Sequence, residues 1–131
     1  MAEDTGALAQ ETHRLFQLLD ALDISGLTGL LVDDAQAVDE LTGSWMRGRE
    51  ALQAHFARLP ELVADVRSQV SDLSATAWGD VGLVTLQLDQ TYTANGEVQE
   101  ISAPTSLIFR RQGETWKLAL VHSVPITAAA H

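Results

Sequence analysis

Asp33-Asp34-Ala35-Gln36-Ala37-Val38-Asp39-Glu40-Leu41, then Thr42-Gly43-Ser44-Trp45-Met46-Arg47-Gly48-Arg49-Glu50, then Ala51-Leu52-Gln53-Ala54-His55-Phe56 form one continuous stretch whose change of rhythm decides the fold. From Ala35 the period is two, with Ala35, Ala37, Asp39 and Leu41 on one face and Gln36, Val38 and Glu40 on the other. This is a strand, and one of its faces carries small residues and a single carboxylate. Thr42 to Arg47 is a polar, glycine-bearing connection. Gly48 then introduces a helix whose Leu52, Phe56, Leu59 and Val63 recur at spacings of three and four. Pro60 removes a backbone donor and disfavours helical geometry at Leu59, which predicts a break or kink there with Glu61 to Ala64 as a separate short turn.

Upstream, Thr5 is placed to cap a first helix with Leu8, Leu15, Leu18, Leu19 and Leu22 on its apolar face. Asp23 precedes a second, short helix through Ile24, Leu27, Leu30 and Leu31, where its carboxylate can accept from free backbone N–H groups. Downstream everything reads as sheet. Strands run over Val66 to Trp78, Val81 to Thr93, Val98 to Arg111 and Trp116 to Val124, punctuated by Gly79-Asp80, by the hairpin signal Asn95-Gly96 and by a turn at Gln112-Gly113-Glu114. Pro104 cannot donate to a ladder, so its position is expected at an edge or a bulge. Three N-terminal helices on a curved, mostly antiparallel sheet make an α+β protein. With no internal repeat and no long linker, residues 1–131 read as one domain with frayed ends at about 1–4 and 127–131.

Composition narrows the function classes. The 131 residues, 46% of them hydrophobic, suit one core burying roughly two thirds of the unfolded surface. Eighteen acidic against eight basic residues give a net charge of -10, which disfavours nucleic acid and anionic membranes as partners. Cysteine is absent, excluding disulfides, thiolate nucleophiles and cysteine-based zinc sites. The start Met1-Ala2-Glu3-Asp4 lacks a signal peptide's basic and apolar regions, and no apolar run approaches a membrane span of roughly 20 residues, so a cytoplasmic protein is expected. Four histidines without an HExxH or His-x-His pattern argue against a metal site, and no cofactor motif is present.

The Asp-Asp-Ala opening, the carboxylate of Asp39 and the Gly-Arg-Glu-Ala-Leu helix entry at residues 48–52 resemble the NTF2-like superfamily, which includes the SnoaL-like and ketosteroid-isomerase-like proteins. Thr105-Ser106-Leu107-Ile108-Phe109-Arg110-Arg111-Gln112-Gly113-Glu114-Thr115-Trp116-Lys117-Leu118 resembles the closing hairpin of its DUF4440-type branch. The resemblance extends from about Leu8 to Ile126 and implies a cone-shaped fold around one pocket, with a mixed sheet and frequent sheet-to-sheet pairing of two copies.

It also implies that Asp39 stands where ketosteroid isomerases hold their general base. A poorly solvated carboxylate between Ala37 and Leu41 suits proton transfer; alternatively Asp39 caps a loop or pairs with Arg47 or Arg49. The isomerase's oxyanion pair does not carry over: its tyrosine aligns with Leu15 and its second acid with Thr105 or Ser106, and no hydroxyl replaces a protonated carboxylic acid there. Asp89 is a second acid by type only. His122 matches a histidine common in the DUF4440-type branch, although Val124 replaces the serine that follows it there. It reads either as an acid or orienting group, or as a histidine satisfied by a backbone carbonyl. Tyr92 is its alternative in the acid role.

The predicted pocket is lined by Leu15, Leu19, Asp39, Trp45, Phe56, Tyr92 and His122, with His55 on the flank of the third helix. Two functions follow. One is a noncatalytic ligand-binding or association domain, its ligand an apolar small molecule; the other is an isomerase, cyclase or dehydratase acting on a small apolar carbonyl compound with Asp39 as base. A homodimer through the outer sheet face is expected as well, because Leu107 to Phe109 and Leu118 to Val121 are apolar in both parities.

Overall fold

The computed structural model describes residues 2–39 and 42–127, with only the backbone of residues 2, 126 and 127. Two helices, α1 (Ala2–Asp20) and α2 (Ile24–Gly29), are followed by two strands, β1 (Leu31–Asp39) and β2 (Ser44–Arg47), and then by a third helix, α3 (Arg49–Leu62). Four further strands complete the main sheet: β3 (Ala64–Trp78), β4 (Val81–Ala94), β5 (Glu97–Gln112) and β6 (Thr115–Ser123). Their order is β2-β1-β6-β5-β4-β3, and a short β7 (Ile126–Thr127) pairs with β5. All neighbours are antiparallel except β1 and β6, so the sheet is mixed and the α+β reading holds. Among the described residues no helix is long and apolar enough to cross a membrane.

The helices cover one face of the sheet because their apolar stripes need it. Leu8, Leu15 and Phe16 of α1 are buried with Val84, Leu86 and Leu88 of β4 and Leu107 and Phe109 of β5 in one core. Thr12 is also buried, and its hydroxyl donates to Leu8 O at 2.8 Å, so this polar group costs little inside the stripe. Leu8 lies directly on Gly82, where an added Cβ would come within 2.6 Å of its side chain. Only glycine lets α1 approach that closely.

Asp23 caps α2 as expected, accepting from Gly26 N–H at 2.9 Å. Asn95 (φ 52°) and Gly96 (φ 78°) form the hairpin turn, the positive φ angles matching the twist of the flanking strands.

Several expectations are corrected. α1 already begins at Ala2, so Thr5 lies inside it and residues 2–4 are helical; Asp4 forms an ion pair with Arg111, whose guanidinium lies 4.6 Å from the Trp116 ring centroid. Leu31 opens β1 instead of closing α2, and the polar connection contains strand β2. α3 runs through Pro60, which sits near its C-terminus and removes one intrahelical bond while Val63 N–H still closes the last turn on Leu59 O at 2.9 Å. Pro104 lies in an interior strand. Its carbonyl accepts from Val124 N–H at 3.0 Å, so its missing donor faces a chain segment beyond the end of β6, where no ladder bond is lost. Thr127, expected in a frayed end, is in β7. Met1, Glu40, Leu41 and 128–131 lie outside the described residues.

Candidate functional site

Asp39 is the last residue of β1 and alternates with the buried Ala35 and Ala37, which places it on the helix-facing side of the sheet; it is half-buried. In the parallel pairing, Ala37 stands beside Val121. Two residues further along each strand come Asp39 and Ser123. Thr105 of β5 is opposite Ser123, and Leu86 of β4 is opposite Thr105, so Ser123, Thr105 and Leu86 form one row across β6, β5 and β4, and the β1–β6 register, continued past Ala37 and Val121, brings Asp39 to its end. The hydroxyls of Thr105 and Ser123 are 2.9 Å apart, and Thr105 is only 3% exposed. Leu15 is buried in the core on this side, with Leu19 and Phe56 half-buried against it.

His122 is elsewhere. β6 carries a bulge at Ala119, where one step along β5 from Phe109 to Ile108 corresponds to two along β6 from Leu118 to Leu120. A bulge of one residue reverses the parity of everything after it. Trp116 and Leu118 face the core before it; Val121 and Ser123 do so after it, and His122 turns outward. There it stacks on Trp45 with ring centroids 6.1 Å apart, and Arg47 lies 5.7 Å from the Trp45 ring. Trp45, 47% exposed, pairs with Val38 and so shares this outer face. Asp39 and His122 are therefore on opposite faces of the sheet, and the single pocket expected to hold both with Trp45 is not formed.

Tyr92 has the helix-facing parity of Val84, Leu86 and Leu88, but it stands six residues beyond Leu86, roughly 20 Å along the strand. It is distant from the Asp39 row. His55 is half-buried on α3, with its ring centroid 6.1 Å from that of Phe56.

The paired carboxylates that open the stretch do not enter the site. Asp33 and Asp34 are exposed where β1 departs from regular pairing, and they meet Arg49 at 3.4 Å and Arg110 at 3.0 Å. The alternative partners proposed for Asp39 are thereby partly engaged: Arg49 by Asp33, and Arg47 by the Trp45 ring.

Two open hollows lie away from this row. One, of about 480 Å³, is lined by Asp33, Arg47, Gly48, Arg49 and Glu50 at the start of α3. The other, of about 460 Å³, spans β3, β4 and β5 around Arg67, Gln90 and Ile101. Neither contains any of the eight residues named from the sequence. Among the described residues no group of three or more His, Asp or Glu could hold a metal ion.

Sequence reasoning missed Ser123, and it noted Thr105 only as the place of an absent acid. The bulge that brings Ser123 inward carries no glycine or proline to mark it; the one available signal is that Val121 and Ser123 continue the apolar-to-small alternation as well as Leu120 and His122 do.

The description that matches this chain is "SnoaL-like domain", over residues 9–127. No curated protein matches its sequence. Among solved structures it is similar to a candidate dehydratase of the NTF2-like family from Streptomyces avermitilis, with a TM-score of 0.89 at 16% identity, covering 98% of this chain and 100% of that one. It is similar also to a candidate scytalone dehydratase from Novosphingobium aromaticivorans (TM-score 0.87, 12% identity, 99% and 89% covered). A ketosteroid isomerase-like protein from Erwinia carotovora atroseptica follows at a TM-score of 0.82 and 15% identity, with 96% and 98% covered. At these identities the structures speak for the fold, which this chain shares with NTF2-like and ketosteroid isomerase-like proteins, and the match over residues 9–127 speaks for the family: the chain belongs to the SnoaL-like family.

Proposed function

We propose that the helix-facing side of the sheet, at the end marked by Asp39, seats a small and mainly apolar molecule, and that the domain acts by binding it. The observation that supports this most is the setting of Asp39: a half-buried carboxylate beside Ala35 and Ala37, on the face that α1 and α3 cover with Leu15, Leu19 and Phe56. Apolar walls with a few polar groups are the usual make-up of a small-molecule seat. In the cone that the family resemblance implies, this is its interior.

Binding is preferred to acid–base catalysis because the two groups read as acid or orienting residue stand away from Asp39. His122 is on the far face and Tyr92 is roughly 20 Å along β4 from the row. A second reading, an isomerase, cyclase or dehydratase with Asp39 as base, is favoured by the names of two of the similar structures, both candidate dehydratases.

Two copies are proposed to pair through the outer face. Leu83, Ile108 and Leu120 form a half-buried apolar row there, Ile108 lying opposite both of the others. The test of the binding reading is native mass spectrometry of the purified protein after incubation with a metabolite extract. A retained small molecule is expected; a protein that emerges bare from extracts of varied origin contradicts it.

A further inference from the structure

The outer face of the sheet is apolar at one end and charged at the other, and strand pairing sets out where each begins. Trp78, Val81 and Arg110 stand in one outward row, and Leu83, Ile108 and Leu120 in the next. Trp78 and Val81 are 59% and 40% exposed. Further along β4 and β5 on the same face come Asp89 and Glu100. Arg110 is matched by Asp34 at 3.0 Å, whereas Asp89 and Glu100 are exposed and have no ion-pair partner among the described residues.

Two identical faces that meet by two-fold symmetry have their axis in the plane of contact, and a residue on the axis meets its own counterpart. Ile108 lies between Leu83 and Leu120, so two axes set this apolar row on itself: one along the row, the other along β5 through Ile108. The axis along β5 also lays Glu100, on the same strand, over its own counterpart and brings the Asp89 side chains of both copies close to it. Like charges would then be desolvated without partners. The axis along the row carries the two charged ends to opposite sides instead.

We propose that a second copy of this chain docks with the two-fold axis along the row of Leu83, Ile108 and Leu120, so that the copies overlap over their apolar ends alone, with strands antiparallel between them, and Asp89 and Glu100 stay in water. This rests on the outer-face pairing proposed above and adds its orientation. The overlap, three outward rows deep across the six strands of the main sheet, measures roughly 20 Å by 24 Å. With the relief of its side chains it approaches about 600 Å² per copy, the lower end for a stable pair.

The chain has no cysteine, so Asp89→Cys carries a spin label at one exposed place. The distance between the two labels is measured by pulsed dipolar EPR, with sedimentation reporting the mass. A dimer with a main distance of about 40 Å is expected, twice the roughly 20 Å from Leu83 to Asp89 along β4. Ile108→Asp in the labelled protein should abolish the dipolar signal. Glu100→Gln should leave the dimer's dissociation constant within about twofold, because the charge stays solvated. A main distance under about 20 Å puts the axis along β5 and overturns the orientation while the pairing stands. Tightening by about tenfold in Glu100→Gln does the same. A dimer that survives Ile108→Asp uses another surface and overturns the orientation with the outer-face pairing. A wild type and a labelled protein that are both monomeric at micromolar concentration remove the pairing itself.

Discussion

Asp20 fastens the end of α1 to the sheet through a single residue. Its carboxylate accepts from Ser68 N–H at 3.1 Å and from the Ser68 hydroxyl at 2.7 Å, and Gln90 Nε2 adds a donor to the same hydroxyl at 3.0 Å. Removing the acceptor leaves partly buried donors unpaired, which costs more than the bonds contribute. Asp20→Ala is therefore expected to destabilise the fold by about 1–3 kcal/mol in chemical denaturation; an unchanged midpoint would mean that water replaces the carboxylate. Asp39 is a different case. Its substitution by asparagine is nearly isosteric, so stability should stay within about 1 kcal/mol while ligand binding is lost. Equal losses of stability and binding would make Asp39 a structural residue.

At the scale of elements, α1 approaches β4 closely at Gly82. Gly82→Ala places a methyl group against Leu8, whose side chain is 0% exposed and would have to shift within the core. Overpacking of this kind costs about 1–3 kcal/mol; a variant as stable as the wild type would show that α1 can lift from the sheet. The same scale explains what the sequence made legible. The strands β3 to β6 and the turn at Asn95-Gly96 were legible because alternation and turn chemistry are local, and the shift at Ala35 to a period of two marked β1. Asp39 was legible as an inward residue for that reason. His122 and Ser123 were not, because their facing depends on a bulge at Ala119 that only the pairing of β6 with β5 reveals. β2 was hidden for a related reason: Ser44 to Arg47 has no apolar alternation of its own and is a strand because β1 pairs with it. Pro60 and Pro104 misled in the opposite sense. Each lacks a donor, but one sits in the last turn of α3 and the other opposite a strand end, where the missing donor matters least.

At the scale of the whole molecule, the sheet has two unlike faces. The helix-facing side holds the core and the Asp39 row. The outer side carries the apolar row of Leu83, Ile108 and Leu120, with Trp45 at one edge and Trp78, 59% exposed, at the other. The charge of -10 per chain opposes association, but at physiological salt it is screened beyond about 8 Å, and the proposed pairing requires burial of the apolar row to outweigh what remains. Sedimentation at micromolar concentration is expected to give a dimer that Ile108→Asp converts to a monomer; a monomeric wild type would mean the row is simply tolerated in water. The account's central claim concerns the other face: the molecule this domain binds is held beside Asp39 and not beside His122. Native mass spectrometry of the wild type, Asp39→Asn and His122→Ala after exposure to the same metabolite extract tests it most directly. The account predicts a ligand retained by the wild type and His122→Ala and lost from Asp39→Asn; a ligand lost from His122→Ala and kept by Asp39→Asn would contradict it.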